Sequence, residues 1–208
     1  MLQPGEPEAL TTRERLLVCA EEAVLKKGFA ATSIEELIAA VGITKSGFFY
    51  HFRDKAALAR ALLDRYVENE NEIFDELFRR ADELNEDPLH GFLVFLKMFA
   101  EQLEDLPETH PGCLIASYCY QDRLFDDDIR RKTADCLLGW RERFRARLDL
   151  IAESYPPRIE VDFDDLADMM TVLADGGIIL SKVLGDKAAL PRQIGHYRRY
   201  VKAVFLGA

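Results

Sequence analysis

TSIEELIAAVGITKSGFFYHFRDK, residues 32–55, decides how the rest of the chain is read. It holds two short helical patterns separated by a tight turn at Val41-Gly42-Ile43. Ser33 and Glu36 have the spacing of a capping box ahead of the apolar residues Ile34, Leu37 and Ile38. Gly42 stands where a sharp interhelical turn needs positive φ. Thr44 then caps a second helix carrying Lys45, Ser46, Gly47, Tyr50 and His51, while Phe48 and Phe52 fall on its apolar side and should lock it against Leu37 and Val24. A helix, a glycine-containing turn and a polar helix make a helix-turn-helix, whose second helix enters a DNA major groove.

The same residues resemble the N-terminal signature of the TetR family of transcriptional regulators. The likeness runs from Thr32-Ser33 through Gly42-Ile43-Thr44-Lys45 to His51-Phe52 and Asp54-Lys55, reaching back over Thr11–Phe29 and forward over Ala56–Leu63. It implies an all-α fold of about nine helices, with a three-helix DNA-binding head and a larger ligand-binding and dimerisation domain. It further implies a homodimeric repressor, released from a palindromic operator by a small molecule. Residues 1–10 are expected as a flexible N-terminus, 11–55 as the DNA-binding domain and 56–208 as the second domain. The chain departs from the pattern at Phe49, where the family usually has a tyrosine whose hydroxyl reaches a DNA phosphate, and at Gly47, which costs a short helix about 1 kcal/mol against alanine.

Outside this stretch, composition sets bounds. At 208 residues, 49% hydrophobic and 31% charged, the chain can bury a full core. No apolar run approaches the ~20 residues a membrane span needs, and MLQPGEPEAL lacks the features of a secretory signal, so a cytoplasmic protein without a membrane partner is expected. The net charge of −10 is unevenly spread. Residues 11–60 carry eight Lys or Arg against six Asp or Glu, whereas residues 61–208 carry 19 against 29. Cationic character is thus concentrated in the segment suspected of touching phosphates.

Apolar residues recur at helical spacing from Thr11 to Leu206, and strand-like alternation is scarce. Successive helices are expected from Thr11 to an end at Gly28, then the two just described, Lys55–Arg80, Pro88–Leu106, Cys113–Arg123, Asp126–Glu153, Asp162–Leu184 and Leu190–Leu206. The last two are apolar over more than one face, which calls for burial beyond the monomer. A four-helix bundle formed with a second copy answers that need, with Gly177, Ile178, Ser181, Tyr197, Val201 and Val204 as expected interface residues.

The motifs of catalysis are missing. No GxSxG occurs, no glycine-rich phosphate loop follows a strand, and the four histidines are scattered. The four cysteines form no CxxC pair and have no zinc-ligand spacing. No catalytic residue, metal site or cofactor is expected, and the partners are double-stranded operator DNA, a small-molecule effector and a second copy of the chain. Candidate DNA contacts are Thr32, Thr44, Lys45, Ser46, Gly47, Tyr50, His51 and Lys55. Lys45 either reads guanine acceptors or neutralises a phosphate. The resemblance implies phosphate contacts for Tyr50, His51 and Lys55.

An aromatic and methionine-rich interior suits an apolar or aromatic effector, with Phe95, Phe99, Cys113, Tyr118, Trp140, Phe144, Met170 and Leu173 as candidate lining. Cys113 stands at the first turn of a helix, where the dipole would lower its pKa, and a meeting with Lys182 would reinforce this. A cysteine-based redox or electrophile sensor is therefore an alternative reading. A helical enzyme or ligand carrier, with the N-terminal motif serving as packing, is an alternative of another class.

Overall fold

The computed structural model describes residues 10–207. The flexible segment expected over residues 1–10 lies outside the described residues apart from Leu10, which is exposed. Among the described residues there are nine α-helices, one 3₁₀ turn and no strand.

The head is built from α1 (Thr12–Lys27), α2 (Ile34–Val41) and α3 (Lys45–His51). Thr11 and Glu14 form the full reciprocal capping box at α1. At α2 only half of the expected box forms. Ser33 accepts from the Glu36 backbone, but the Glu36 carboxylate turns to Lys27 instead. Gly42 takes the left-handed conformation (φ 73°, ψ 40°) that lets α3 follow α2 so abruptly. Arg15 donates to the Val41 carbonyl at 2.6 Å, tying the end of α2 back to α1. Phe48 and Phe52 are fully buried, with ring centroids 5.7 Å apart, and share their core with Leu37 and Val24.

From the head, α4 (Lys55–Leu84) carries the chain into the body. Its 30 residues span about 45 Å at 1.5 Å each. It runs a turn beyond the expected end at Arg80, because neither glycine nor proline precedes Asn85 and Arg79 braces both Glu76 and Glu83. The body comprises α5 (Pro88–Glu104), α6 (Leu114–Cys119), α7 (Asp127–Ser154), α8 (Phe163–Leu184) and α9 (Ala189–Leu206). The expected helix over 113–123 is instead the six-residue α6 followed by a 3₁₀ turn at Asp122–Leu124.

α7 lies beside α4 in the same direction. The pairs Asp64–Lys132, Asp75–Arg143 and Asp82–Arg147 advance together along the two helices. Such exposed pairs contribute ~0–1 kcal/mol each, so their main effect is to fix register. α5 packs between α4 and α9, and α8 along both α7 and α9. One continuous set of buried side chains joins head and body.

Candidate functional site

The DNA-reading face follows from which sides of α2 and α3 the core leaves free. Phe48 is sealed, so the opposite side of α3 projects outward with Lys45, Ser46, Phe49 and Tyr50 exposed. Tyr50 is 85% exposed and meets half-buried His51 edge-on at 5.1 Å. Thr44 caps α3 by accepting from Gly47 N at 3.1 Å, and its hydroxyl lies 3.0 Å from that of Ser46. Lys45 pairs with Glu35 at 3.2 Å, both of them exposed. An exposed pair of ~0–1 kcal/mol is readily exchanged for a phosphate or a base edge. A Cβ at Gly47 would sit 3.4 Å from the Thr44 hydroxyl, ordinary contact, so the fold itself does not demand glycine there. Phe49 is 43% exposed.

Two expected contacts are placed differently. Thr32 is buried and donates to the Gly28 carbonyl at 3.0 Å, closing the turn after α1. The N-cap of α2 is its neighbour Ser33, so Thr32 does not present its hydroxyl to a phosphate in this structure. Lys55 is half-buried, donating at 2.7 Å to the Phe29 carbonyl and lying 4.4 Å from the centre of the Phe29 ring. Burial lowers its pKa, with Lys27 adding to the shift. Lys55 therefore binds the start of α4 to the end of α1.

That tie is part of a joint between head and body. Phe29 packs edge-on against Tyr118 and tilted against Phe125, at 5.8 and 4.9 Å. Tyr118 donates to the Ala59 carbonyl at 2.9 Å, and Gln121 accepts from Ala30 N at 2.8 Å. Arg60 joins Asp126 and Asp128. α6 and the turn after it thus lean on both the head loop and the first turns of α4.

The other end of α6 opens on a cavity of about 70 Å³. Of the residues expected to line it, Phe99, Cys113, Trp140, Phe144 and Met170 do so. Phe95, Tyr118 and Leu173 do not. Phe95 stacks on Phe78 at 3.8 Å within the core, Tyr118 belongs to the joint, and Leu173 packs against the core beside the cavity. Polar lining absent from the expectation comes from Glu70, His110, Thr171 and Asp175, joined by Tyr66. The Trp140 indole N–H is buried without a partner among the described residues.

Burial also decides the thiol. Cys113 caps α6, with its sulfur accepting from Ala116 N at 3.4 Å, but desolvation first and then the charge of Asp175 push its pKa up to about 12. Lys182 donates instead to the Pro111 carbonyl. Burial outweighs the dipole at the first turn of the six-residue α6, so the thiol stays protonated and the alternative sensor reading loses its thiolate. Among the described residues, no group of three or more His, Cys, Asp or Glu could hold a metal ion, and no helix is long and apolar enough to cross a membrane.

The expected dimer residues divide likewise. Gly177, Ser181, Tyr197, Val201 and Val204 are buried inside the protomer. Tyr197 donates to the Leu166 carbonyl at 2.9 Å, Ser181 accepts from Leu190 N at 3.2 Å, and Gly177 lets the backbone of Leu190 approach. Ile178 is half-buried and faces the cavity. The surface left open on α8 is a different stripe, Val172, Gly176, Ile179, Leu180 and Val183.

Residues 16–62 match the family described as bacterial regulatory proteins, tetR family. The HTH-type transcriptional regulator TtgR of Pseudomonas putida is 34% identical over 144 residues, 67% of each chain. The transcriptional regulator AcuR of Cereibacter sphaeroides is 25% identical over 183 residues, 86% of this chain and 80% of that one. The crystal structure of a TetR transcriptional regulator from Chloroflexus aurantiacus superposes with a TM-score of 0.75 at 26% identity, covering 92% of this chain and 94% of that one. These relatives are named as regulators of transcription rather than enzymes. With the helix-turn-helix, the joint and the helical body in place, this chain belongs to the TetR family and is a DNA-binding transcriptional regulator.

Proposed function

We propose that the chain works in the cytoplasm as a homodimeric repressor, with residues 11–55 reading a palindromic operator and residues 56–208 carrying the effector site and the dimer contact. The single observation that carries this reading is the course of α4. Its first residue, Lys55, is fastened to the head, and Tyr66, Glu70 and Phe74 further along it wall the cavity. A ligand that spreads the cavity pushes the helix on which the head is mounted. α6 offers a second path, from Cys113 at the cavity to Tyr118 and the turn bearing Gln121 at the head loop. Two heads reading successive major-groove faces must stand about 34–36 Å apart, so a small change of pose at each head weakens binding at both half-sites. The ligand acts only through its different affinity for the two poses, and ~1–3 kcal/mol of coupling corresponds to about 5–150-fold in operator affinity.

The DNA contacts fall to Thr44, Lys45, Ser46, Tyr50 and His51, with Gly47 allowing close approach and Lys55 acting at the rim. The dimer contact falls to the exposed stripe of α8, joined by Tyr200 and Leu206 of α9. The test is a titration of an operator duplex with effector, followed by Trp140 fluorescence and duplex anisotropy together. Saturating effector should release the duplex, and saturating duplex should weaken effector binding by the same factor. A ligand that fills the cavity while operator affinity stays constant would remove it as the inducer.

A further inference from the structure

The cavity holds an electrostatic imbalance. Around it, Glu21 is joined to Arg65, Asp75 to Arg143 and Asp168 to Arg141. Glu70 on α4 and Asp175 on α8 line the cavity itself, and neither has an ion-pair partner among the described residues. Among the described residues, no Lys or Arg lines the cavity. Its one imidazole, His110, has its pKa lowered by burial and by the nearby charge of Lys182, so it is neutral at pH 7. Lys182 is itself engaged with the Pro111 carbonyl.

Two further features point inward to a ligand. Trp140 is only 7% exposed, borders the cavity, and has an indole N–H with no acceptor among the described residues. Aromatic walls surround the cavity, with Phe74 edge-on to Phe99 and to Phe144, both at 5.6 Å and inclined by 66° and 74°. Ring faces attract cations through their quadrupole, most strongly where water is excluded. A buried donor left unpaired is costly, and a ligand oxygen relieves it.

We propose that the effector is a small organic ammonium bearing a hydroxyl, ether or carbonyl oxygen, its cationic nitrogen held between Glu70 and Asp175 within the aromatic walls and its oxygen accepting from Trp140. This rests on reading the cavity as the effector site. Size agrees with it. About 70 Å³ is half of a cavity that holds benzene, ~150 Å³, so a compact head group enters and anything bulkier must part α4 from α8. The raised pKa values of Glu70 and Asp175, led by burial in both, are what carboxyls show when no cation offsets their lost water.

The test uses the full-length protein, with choline and its neutral carbon analogue, in which a tert-butyl group replaces the trimethylammonium. Trp140, the chain's one tryptophan, supplies the signal. Choline should change its fluorescence saturably, and the neutral analogue should bind at least tenfold more weakly. Glu70→Gln and Asp175→Asn, both near-isosteric, should each weaken choline at least fivefold and leave the analogue unaffected. Equal binding of the two probes, unchanged choline affinity in both variants, or no response to either probe would overturn the inference. A neutral compound that fills the cavity with higher affinity than choline and releases operator would overturn it too, while leaving effector control standing. Choline binding with unchanged operator affinity would support a cation site and refute effector control.

Discussion

Two adjacent glycines on α8 should separate the packing of the protomer from the contact between protomers. A Cβ added at Gly177 would lie 2.9 Å from both Cα and Cδ1 of Leu190, so the backbone of α9 must shift. A Cβ at Gly176 meets nothing within 4 Å. Gly177→Ala should therefore overpack α8 against α9 at a cost of about 1–3 kcal/mol, partly offset by up to ~1 kcal/mol of helix propensity. The net loss of about 1–2 kcal/mol should lower Tm by roughly 2–8 °C in a chain of this length, with the dimer retained.

Gly176→Glu should do the reverse. Its neighbours Val172, Ile179 and Val183 are 66%, 53% and 77% exposed. Full burial of such a side chain contributes about 1.5–3 kcal/mol, so each holds back roughly 1–2 kcal/mol that only a partner can release. A carboxylate in that stripe faces its own symmetry mate, and like charges at a desolvated contact cost several kcal/mol, at least a hundredfold in dimer affinity. Sedimentation should show one subunit mass with helicity and melting of the isolated fold preserved, and operator affinity should collapse with the lost half-site coupling. If Gly176→Glu remained dimeric while Gly177→Ala dissociated, the assignment of the two faces would be refuted.

Other perturbations bear on the remaining parts. Lys55→Ala should loosen the joint by about 1–2 kcal/mol, a charged hydrogen bond discounted for partial exposure, and weaken all DNA sequences alike; unchanged melting with an altered base preference would contradict this. Phe49→Tyr should keep the melting temperature and tighten operator binding by about 0.5–1.5 kcal/mol, one added hydrogen bond, whereas early melting would show that its ring tip is sealed. Burial, reinforced by the charge of Glu21, raises Glu70 to about 7, so the folded state holds a proton that the unfolded state releases near pH 4.5. Stability should fall as pH rises from about 4.5 to 7, and Glu70→Gln should gain on the parent by roughly 1–2 kcal/mol above pH 7 but not at pH 4; a melting difference independent of pH would sink this. Alkylation at pH 8 should label exposed Cys119 well before Cys113, whose thiol stands near 12, and mass mapping that found Cys113 modified first would restore the sensor reading.

Local signals in the sequence carried the head almost whole. Thr11, Ser33, Thr44 and Asp54 act as N-caps, and Gly42 supplies the left-handed turn, because each depends only on residues within one helical turn of it. What depends on tertiary convergence was not legible. The apolar arcs of α8 and α9 are legible, but periodicity cannot say which arc turns inward; Tyr197 and Gly177 lie inside the protomer, and Val172 and Val183 outside it. Glu70 lies on a helix dense in acidic residues and reads there as one more solvated charge. Only the packing of α4 with α7 and α8 brings it to the same cavity as Trp140 and Asp175. The dipole at Cys113 is legible in one dimension, but the water the thiol loses is not.

The central claim is that α3 reads DNA from a symmetric pair of heads. It is tested most directly by selecting duplexes from a random pool with the full-length protein and sequencing those retained. An inverted repeat with half-sites about one helical turn apart should emerge, with affinity falling steeply in salt and with Lys45→Ala and Tyr50→Ala losing the enrichment. Retained duplexes without symmetry, or the same inverted repeat selected equally well by both variants, would contradict it.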